Sequence, residues 1–415
     1  MRVFKFGGAS QKDANSIRHV ATLLAEAPRP LVVVISAIGK TTNALEDVAR
    51  LAFQKADPTP PLQRIKAEHT AIVHDLFPYP LPTLQKLNAF FDQLSQHLAL
   101  PEEDMLYDQV VCVGELLAST ILADYLALQD VPVQWKDARQ FICTDSRYRE
   151  GRIRWDVTKQ KLTPWKSEAQ NAVLITQGFI AGNEQGHSTT LGREGSDFTA
   201  AIIASCMGAD SVTIWKDVPG VMNADPRRIA TAIVFDQLPY QEAAEMTYFG
   251  ASVIHPKTIK PLANAGIPLY VKSFVDPTLP GTVIHDCKVK NLPPLIVFKE
   301  NQCLISCKVT DYTFISEENL RLIFVALAEG DIKINVMQNS AISFSFCVDF
   351  RENRIMRLVE RLSQTFEVYY NTGLVLITIK NYDDATARQY RQTKDILLEQ
   401  ASRSTLQLLV RPTPS

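Results

Sequence analysis

VFKFGGASQKDANSIRHVATLLAEAPRPLVVVIS, residues 3–36, carries a strand, a double-glycine turn, a helix and a second strand in that order. Val3 to Phe6 is a short β-rich run, and Leu31 to Ile35 is continuously apolar, as in a strand buried on both faces. Between them Asp13 to Glu26 reads as a helix, stopped by Pro28 and Pro30. The rhythm recurs downstream. Strand-like runs lie at Val131 to Trp135, Ala172 to Thr176, Ser211 to Trp215 and Pro268 to Lys272, with helical stretches at Leu116 to Leu128 and Asp197 to Met207. This alternation predicts an α/β fold: an open, mostly parallel sheet with helices on both faces. Residues 55–100 read as an inserted helical excursion with proline-rich turns at Asp57 to Pro61 and Phe77 to Pro82.

Near Asp286 to Pro294 the chain turns rich in lysine and proline, which predicts a domain boundary there, with domains at about 1–290 and 295–415. Beyond that boundary the order of elements changes. Strands are expected at Cys303 to Val309, Ile332 to Met337, Ile342 to Val348 and Leu374 to Ile379, with helices at Glu317 to Ala328 and Asn353 to Ser363. That β-α-β-β-α-β order over about 302–380 predicts a small ferredoxin-like α+β domain. A helical stretch, Ala385 to Gln400, and a strand, Leu406 to Val410, remain. They fall short of a second copy unless it borrows a strand from Leu295 to Phe298.

With 415 residues, 46% hydrophobic and 21% charged, the chain is long enough for two or three domains with real cores. Its net charge of −2 argues against a nucleic-acid binder built on a broad basic surface. No apolar run reaches the roughly 20 residues of a membrane span, and no signal-peptide stretch precedes Lys5. A cytoplasmic protein is expected. The seven cysteines are scattered; Cys303 and Cys307 sit four apart without a completing His or Cys cluster, so buried thiols are expected rather than zinc ligands.

Candidate chemistry gathers where strands end. Lys5, Gly7, Gly8 and Ser10 follow the first strand; adjacent glycines expose backbone N–H groups to a phosphate, and a strand-end lysine can neutralise a phosphoryl group. The same residues also suit a tight turn beneath a snorkelling lysine. AIGKT at 37–41 lacks the first glycine of a Walker loop; Ser36 and Thr42 survive as strand-end and helix-start residues, and helix capping explains Thr42 as well as ligand contact does. Glu115 opens an apolar helix, where the helix dipole or a substrate ammonium would favour it. In TTLGREGSDFTAA, residues 189–201, glycines bracket Arg193 while Ser196 and Asp197 stand as caps of the next helix. An arginine so framed suits bidentate capture of a carboxylate or phosphate. Strand 211–215 ends in Lys216, Asp217, Pro219 and Gly220, at the end where open α/β sheets bind nucleotides; Arg227 adds a phosphate-competent cation.

Together these segments resemble the aspartate kinases of the amino acid kinase family. KFGGAS, VVVISAIGKTTNAL, VGE at 113–115, TQGFIAG at 176–182, LGREGSD, VPGVMNADPR and EMTYFGASVIHPKTIKPL at 245–262 follow one another in the family's order. The resemblance implies transfer of the ATP γ-phosphoryl to the side-chain carboxylate of L-aspartate, giving 4-phospho-L-aspartate, with Mg2+ on the phosphates. It implies Lys5 and Asp197 as catalytic residues, with Thr42, Glu115, Arg193 and Ser196 at the aspartate. It places Lys5, Gly7, Gly8, Ser10, Ser36, Lys216, Asp217, Met222, Arg227, Ser252 and Lys257 around the nucleotide. The terminal unit resembles ACT domains, implying a homodimer through that region, a lysine or threonine effector, and tentatively Gln338 and Asn339 as effector contacts. No dehydrogenase half follows, so a monofunctional enzyme is expected.

The chain departs from the family pattern at Ala9, Glu194, Lys216, Met222 and Ser252, where threonine, glycine, threonine, tyrosine and lysine are usual. Lys216 or Lys257 would replace the lysine absent at 252. Two rival readings are an inactive amino-acid sensor of the same fold and a related kinase acting on glutamate or acetylglutamate.

Overall fold

All five residues of Leu31–Ile35 are fully buried, and so are all five of Val173–Gln177. Successive strand residues face opposite sides, so both faces of the sheet holding them are covered. Each such Val, Leu or Ile contributes about 1.5–3 kcal/mol relative to exposure. The computed structural model describes every residue except 251–253, 291, 312, 393–394 and 413–415. It divides into two units. One comprises Met1–Val221, Val234–Ala244 and Val253–Lys288; the other comprises Met222–Ile233, Glu245–Ser252 and Val289–Ser415. Two short segments that precede the expected boundary thus group with the carboxy-terminal unit.

The strands of the first unit are β1 (Arg2–Phe6), β2 (Leu31–Ile35), β3 (Val133–Lys136), β4 (Val173–Gln177), β5 (Ile180–Gly182), β6 (Ser188–Thr190), β7 (Ser211–Lys216), β8 (Gln237–Pro239), β9 (Leu269–Ser273) and β10 (Thr282–His285). Eight of them form one sheet in the order β3-β4-β2-β1-β7-β9-β10-β8, parallel from β3 through β9, with β10 antiparallel to β9. β5 and β6 make a separate hairpin. β1 pairs with β2 on one side and β7 on the other, so the chain changes winding direction there. Open α/β sheets bind ligands at the carboxyl ends of the strands flanking such a switch.

Asp13 caps the first helix, Ala14–Glu26, by accepting from the Ser16 amide. The prolines of the 55–100 excursion open helices rather than merely turn the chain: Pro60 and Pro61 lie in the first turn of Thr59–Leu76, and Pro82 in that of Leu81–His97. The helical stretch Glu103–Leu128 is long and apolar enough to cross a membrane, which corrects the expectation that no segment reaches that length. Of its apolar window 83% is buried inside the fold, as in a core helix.

The second unit has β11 (Leu295–Lys308), β12 (Ile334–Asn339), β13 (Ser343–Asp349), β14 (Glu367–Lys380), β15 (Ile396–Ala401) and β16 (Thr405–Val410), all antiparallel in the order β12-β13-β11-β14-β16-β15. The two 14-residue strands β11 and β14 pair along their lengths, and each serves two lobes. The first lobe carries helices Glu317–Glu329 and Glu352–Leu362 over a core that includes Ile305, Ile323, Phe346 and Ile355. The second uses residues 295–299 of β11, so the strand needed to complete it is supplied. Its core joins Ile377, Ile379, Tyr390, Leu406 and Leu408, with Ile296 and Phe298 against it. The expected helix Ala385 to Gln400 is corrected: the helix is Asp384–Gln392, and Ile396 onward is strand β15. Pairing with β16 outweighs the helix preference of its leucine, glutamate and glutamine residues. Cys303, Cys307 and Cys347 are fully buried in this unit, and burial pushes their thiols up to about 11, 12 and 12.

Candidate active site

Lys5 stands near the carboxyl end of β1, and its Nζ lies 2.8 Å from Asp197 Oδ1. The two side chains are 12% and 3% exposed, so the charges face each other largely out of water. Asp197 occupies the first turn of the helix Gly195–Met207, where the helix dipole favours a carboxylate. Lys216 ends β7, the other neighbour of β1, and its Nζ lies 3.9 Å from Asp197 Oδ2. Two ammonium groups on adjacent strand ends therefore approach one carboxylate.

The glycine turn after β1 is fixed by close approach. A Cβ at Gly8 would fall 2.6 Å from the Gly39 carbonyl oxygen and 2.8 Å from that of Ala37, and the Gly39 amide donates to the Gly8 oxygen at 3.1 Å. Only glycine lets the two loops touch. Ser10 donates its hydroxyl to the Gly7 carbonyl at 2.6 Å and is 1% exposed, so its hydrogen closes the turn. The Ser36 amide donates to the Phe6 carbonyl, and Gln11 donates to the Ser36 carbonyl at 3.1 Å. Gln11 is a buried support that no motif or periodicity in the chain singles out.

Across from this turn, Glu115 lies in the first turn of Val113–Leu128 and is 2% exposed. Its Oε1 accepts from the Ala37 amide at 3.2 Å, while Oε2 is buried with no partner among the described residues. Burial pushes the carboxyl up to about 8, against the amides of Ala37 and Glu115 and the charge of Lys5. A buried carboxyl with one oxygen unsatisfied suits an arriving cation. Thr42 is half-buried in the first turn of Thr41–Phe53; Lys40 holds the cap position and no side chain caps that helix, so the capping explanation for Thr42 is corrected.

Arg193 is exposed and makes no hydrogen bond or ion pair among the described residues. Its neighbours hold left-handed backbone, Gly192 at φ 73° and Glu194 at φ 53°. Glu194, not Ser196 or Asp197, is the cap residue of the following helix, and it contributes no side-chain bond; the capping role expected for Ser196 and Asp197 is corrected. Ser196 packs under Gly178, where a Cβ would come 2.4 Å from Ser196 Cβ. Phe179, at φ 69°, receives the Leu191 amide on its carbonyl and gives its own amide to Thr199. Gly178 and Phe179 belong to the TQGFIAG string, and its place in the family pattern is the one sequence signal for them.

The structure brings Lys5, Gly7, Gly8, Ser10, Ser36, Glu115, Ser196, Asp197 and Lys216 to the strand ends of the first unit. Asp217 follows there and is exposed. Lys257 lies 3.7 Å from Glu150, on a cleft of about 720 Å3 that Leu191, Phe198, Trp155 and Arg152 also line, beside the Arg193 loop. Met222 and Arg227 belong to the second unit, where Arg227 pairs with Asp225 at 2.7 Å. Ser252 lies outside the described residues. Gln338 and Asn339 are exposed on β12, an edge strand of the second unit's sheet.

Residues 1–273 match the amino acid kinase family. The lysine-sensitive aspartokinase 3 of Escherichia coli is 31% identical over 400 residues, covering 92% of this chain and 87% of that protein. Aspartokinase 1 of Arabidopsis thaliana, a chloroplastic protein, is 34% identical over 364 residues, covering 84% of this chain and 63% of its own length. Solved structures of the E. coli aspartokinase III, with lysine and aspartate in one and with aspartate and ADP in another, both superpose with a TM-score of 0.82 at 28% identity, covering 99% of this chain and 96% of theirs. Built on this sheet and these strand-end residues, the chain belongs to the amino acid kinase family and, within it, to the aspartokinases.

Proposed function

We propose that the first unit transfers the γ-phosphoryl group of ATP to the side-chain carboxylate of L-aspartate. The observation that carries this reading is the Lys5–Asp197–Lys216 cluster at the winding switch of the sheet, facing the half-satisfied Glu115. In the reaction a carboxylate oxygen of aspartate forms a bond to the γ-phosphorus while the bond to the β–γ bridging oxygen breaks, releasing ADP. The nucleophile is already an anion, so no general base is required. The site must instead supply charge neutralisation and alignment of two anions. Lys5, beside the Gly7–Gly8 turn, supports the phosphoryl group in transit, and Lys216 supports the nucleotide phosphates. Asp197 holds both ammonium groups in place. Arg193, exposed and uncommitted, would clamp the α-carboxylate of aspartate, and Glu115 would take its ammonium group, with Thr42 and Ser196 close by.

Mg2+ fits as an ion carried by the nucleotide. No group of three or more His, Cys, Asp or Glu side chains able to hold a metal occurs among the described residues, and Asp197 is the carboxylate beside the two lysines. When bound, the ion would neutralise phosphate charge, as magnesium does at sites built from few carboxylates.

ATP-dependent hydroxamate formation from aspartate tests the reading: product with aspartate and not with glutamate or acetylglutamate is expected, and none with any acceptor refutes it. For the second unit we propose a homodimer through this ACT-like region, with weak or absent inhibition by lysine. A monomer in sedimentation, or strong inhibition at low lysine concentration, would overturn that part.

A further inference from the structure

Asp108 lies in the helix Glu103–Val111 and is wholly buried. Its Oδ2 accepts from the Arg149 amide at 2.9 Å and from the Thr190 amide at 2.8 Å, and its Oδ1 accepts from the Thr190 hydroxyl at 2.8 Å. The next residue, Gln109, continues the staple: its Nε2 donates to the Ser188 carbonyl at 2.8 Å, and its Oε1 accepts from the Ser188 amide at 3.0 Å. Both ends of β6 are thus tied to one turn of helix. Thr190 ends β6, and Leu191, Gly192 and Arg193 come directly after it. On the other side the Thr190 carbonyl accepts from the Gly151 amide at 2.8 Å, which closes the clasp around the strand end.

The same helical stretch carries Glu115. The Cys112 amide donates to the Asp108 carbonyl, and the Leu116 amide to the Cys112 carbonyl, so the helix passes Cys112 with little interruption. Residues seven apart return to nearly the same face, about 10 Å along the axis. Asp108 and Glu115 are so related. One rigid rod therefore holds a carboxyl that would meet the ammonium end of aspartate and, two turns away, the anchor of the loop that would meet its carboxylate end.

Resting on the site assignment above, we propose that Asp108 is a positioning residue for aspartate binding, fixing the Arg193 loop at a set distance from Glu115. Acceptor geometry rather than charge does this. Burial pushes the carboxyl up to about 6 despite its three donors, and a proton on Oδ1 needs only reversal of the Thr190 hydroxyl to keep every bond. Asparagine can reproduce the same pattern, with its carbonyl oxygen toward the two amides and its NH2 toward the hydroxyl.

The experiment compares Asp108→Ala with Asp108→Asn in the full chain. Misplacing a binding group by about an ångström costs on the order of 100-fold, so Asp108→Ala should raise the aspartate KM by about that factor and leave the ATP KM within about twofold. Asp108→Asn should bring the aspartate KM back to within about threefold of wild type, as a variant that keeps the acceptor geometry. Equal rises in both KM values, an unchanged aspartate KM, or an asparagine variant as impaired as the alanine one would overturn the proposal. If Asp108→Ala does not fold, Thr190→Val removes only the hydroxyl bond and should raise the aspartate KM alone, by about 3- to 10-fold. Hydrogen exchange supplies a readout independent of activity: amides at 149–151 and 190–195 should exchange faster in the variant while those of β1 and β7 do not change. A wild type that makes no hydroxamate refutes the site assignment; unchanged exchange at 190–195 refutes the role of Asp108.

Discussion

Glu115 and Ala37 meet at 3.2 Å, amide to Oε1, and the other carboxyl oxygen of Glu115 is left buried without a partner among the described residues. Burial holds this carboxyl near 8, so it carries its proton at neutral pH. An aspartate ammonium group needs it ionised, and binding must then release the proton. The Kd for aspartate is expected to fall about tenfold per unit as pH rises from about 6 toward about 8, and to level off above that. Calorimetric titration in two buffers of different ionisation enthalpy measures both the slope and the proton release; a flat profile with no release refutes the assignment.

The same group fixes a sign for stability. Its folded value lies above its ordinary value of 4.5, so the folded chain holds the proton more tightly than the unfolded one. Stability is therefore lost as pH rises from about 4.5 toward about 8. Glu115→Gln should melt higher than wild type at pH about 8 and level with it near pH about 4, while losing aspartate affinity. A glutamine variant that melts lower at the higher pH would contradict this.

Lys5 and Asp197 are expected to act on turnover. Lys5→Ala and Asp197→Ala should each lower kcat by about 100-fold or more, as removal of a preorganised charge does. Arg193→Ala should instead raise the aspartate KM with little change in melting temperature, because the exposed guanidinium holds nothing else among the described residues. Near-normal turnover in Lys5→Ala would remove it from phosphoryl transfer.

Much of this site is legible in the sequence because its members sit where strands end. Lys5, Lys216 and Asp197 follow or precede clear strand and helix patterns, and the parallel sheet brings those ends together. Long-range fit is absent from the pattern. Gly178 is required by Ser196, and Gly8 by the Ala37 and Gly39 carbonyls, contacts that no local window contains. Cap residues mislead for a related reason: Ser196 and Asp197 are of the common capping types, yet the helix begins at Gly195 because Glu194 takes left-handed backbone. In the second unit, two strands of 14 residues each serve two lobes, and only pairing reveals that a strand has two partners along its length. The residues of β15 have a helical composition, and the pairing that makes them an edge strand is invisible to composition.

Glu194 offers a test of the departure at that position. A side chain at φ 53° carries about 1–2 kcal/mol of strain, and Oε2 is also buried without a partner among the described residues. Glycine relieves the strain but loosens the unfolded chain by about 0.4–1 kcal/mol. Glu194→Gly should therefore match or modestly exceed wild-type stability, while Glu194→Val, β-branched in a left-handed position, should melt several degrees lower, in keeping with the usual steric order. Thermal melts rank the three; valine at or above glutamate would contradict the backbone argument.

Lys216 provides the last test. Its ammonium sits 3.9 Å from Asp197 at the end of β7, whereas the competing Lys257 lies 3.7 Å from Glu150, on a cleft that Leu191 and Phe198 also line. A lysine at a nucleotide-binding strand end acts as a point charge on phosphate, so its loss should weaken ATP rather than aspartate. Lys216→Thr, which installs the residue usual in related kinases, is expected to raise the ATP KM by about tenfold, a charge-assisted contact's worth, and to leave the aspartate KM within about twofold. It should not destabilise the fold strongly, because Lys5 still partners Asp197 at 2.8 Å. Lys257→Ala is the comparison, with an expected change in ATP KM below about twofold, as for an exposed ion pair. The reverse outcome, ATP kinetics unchanged in Lys216→Thr and impaired in Lys257→Ala, would move the phosphate contact to Lys257.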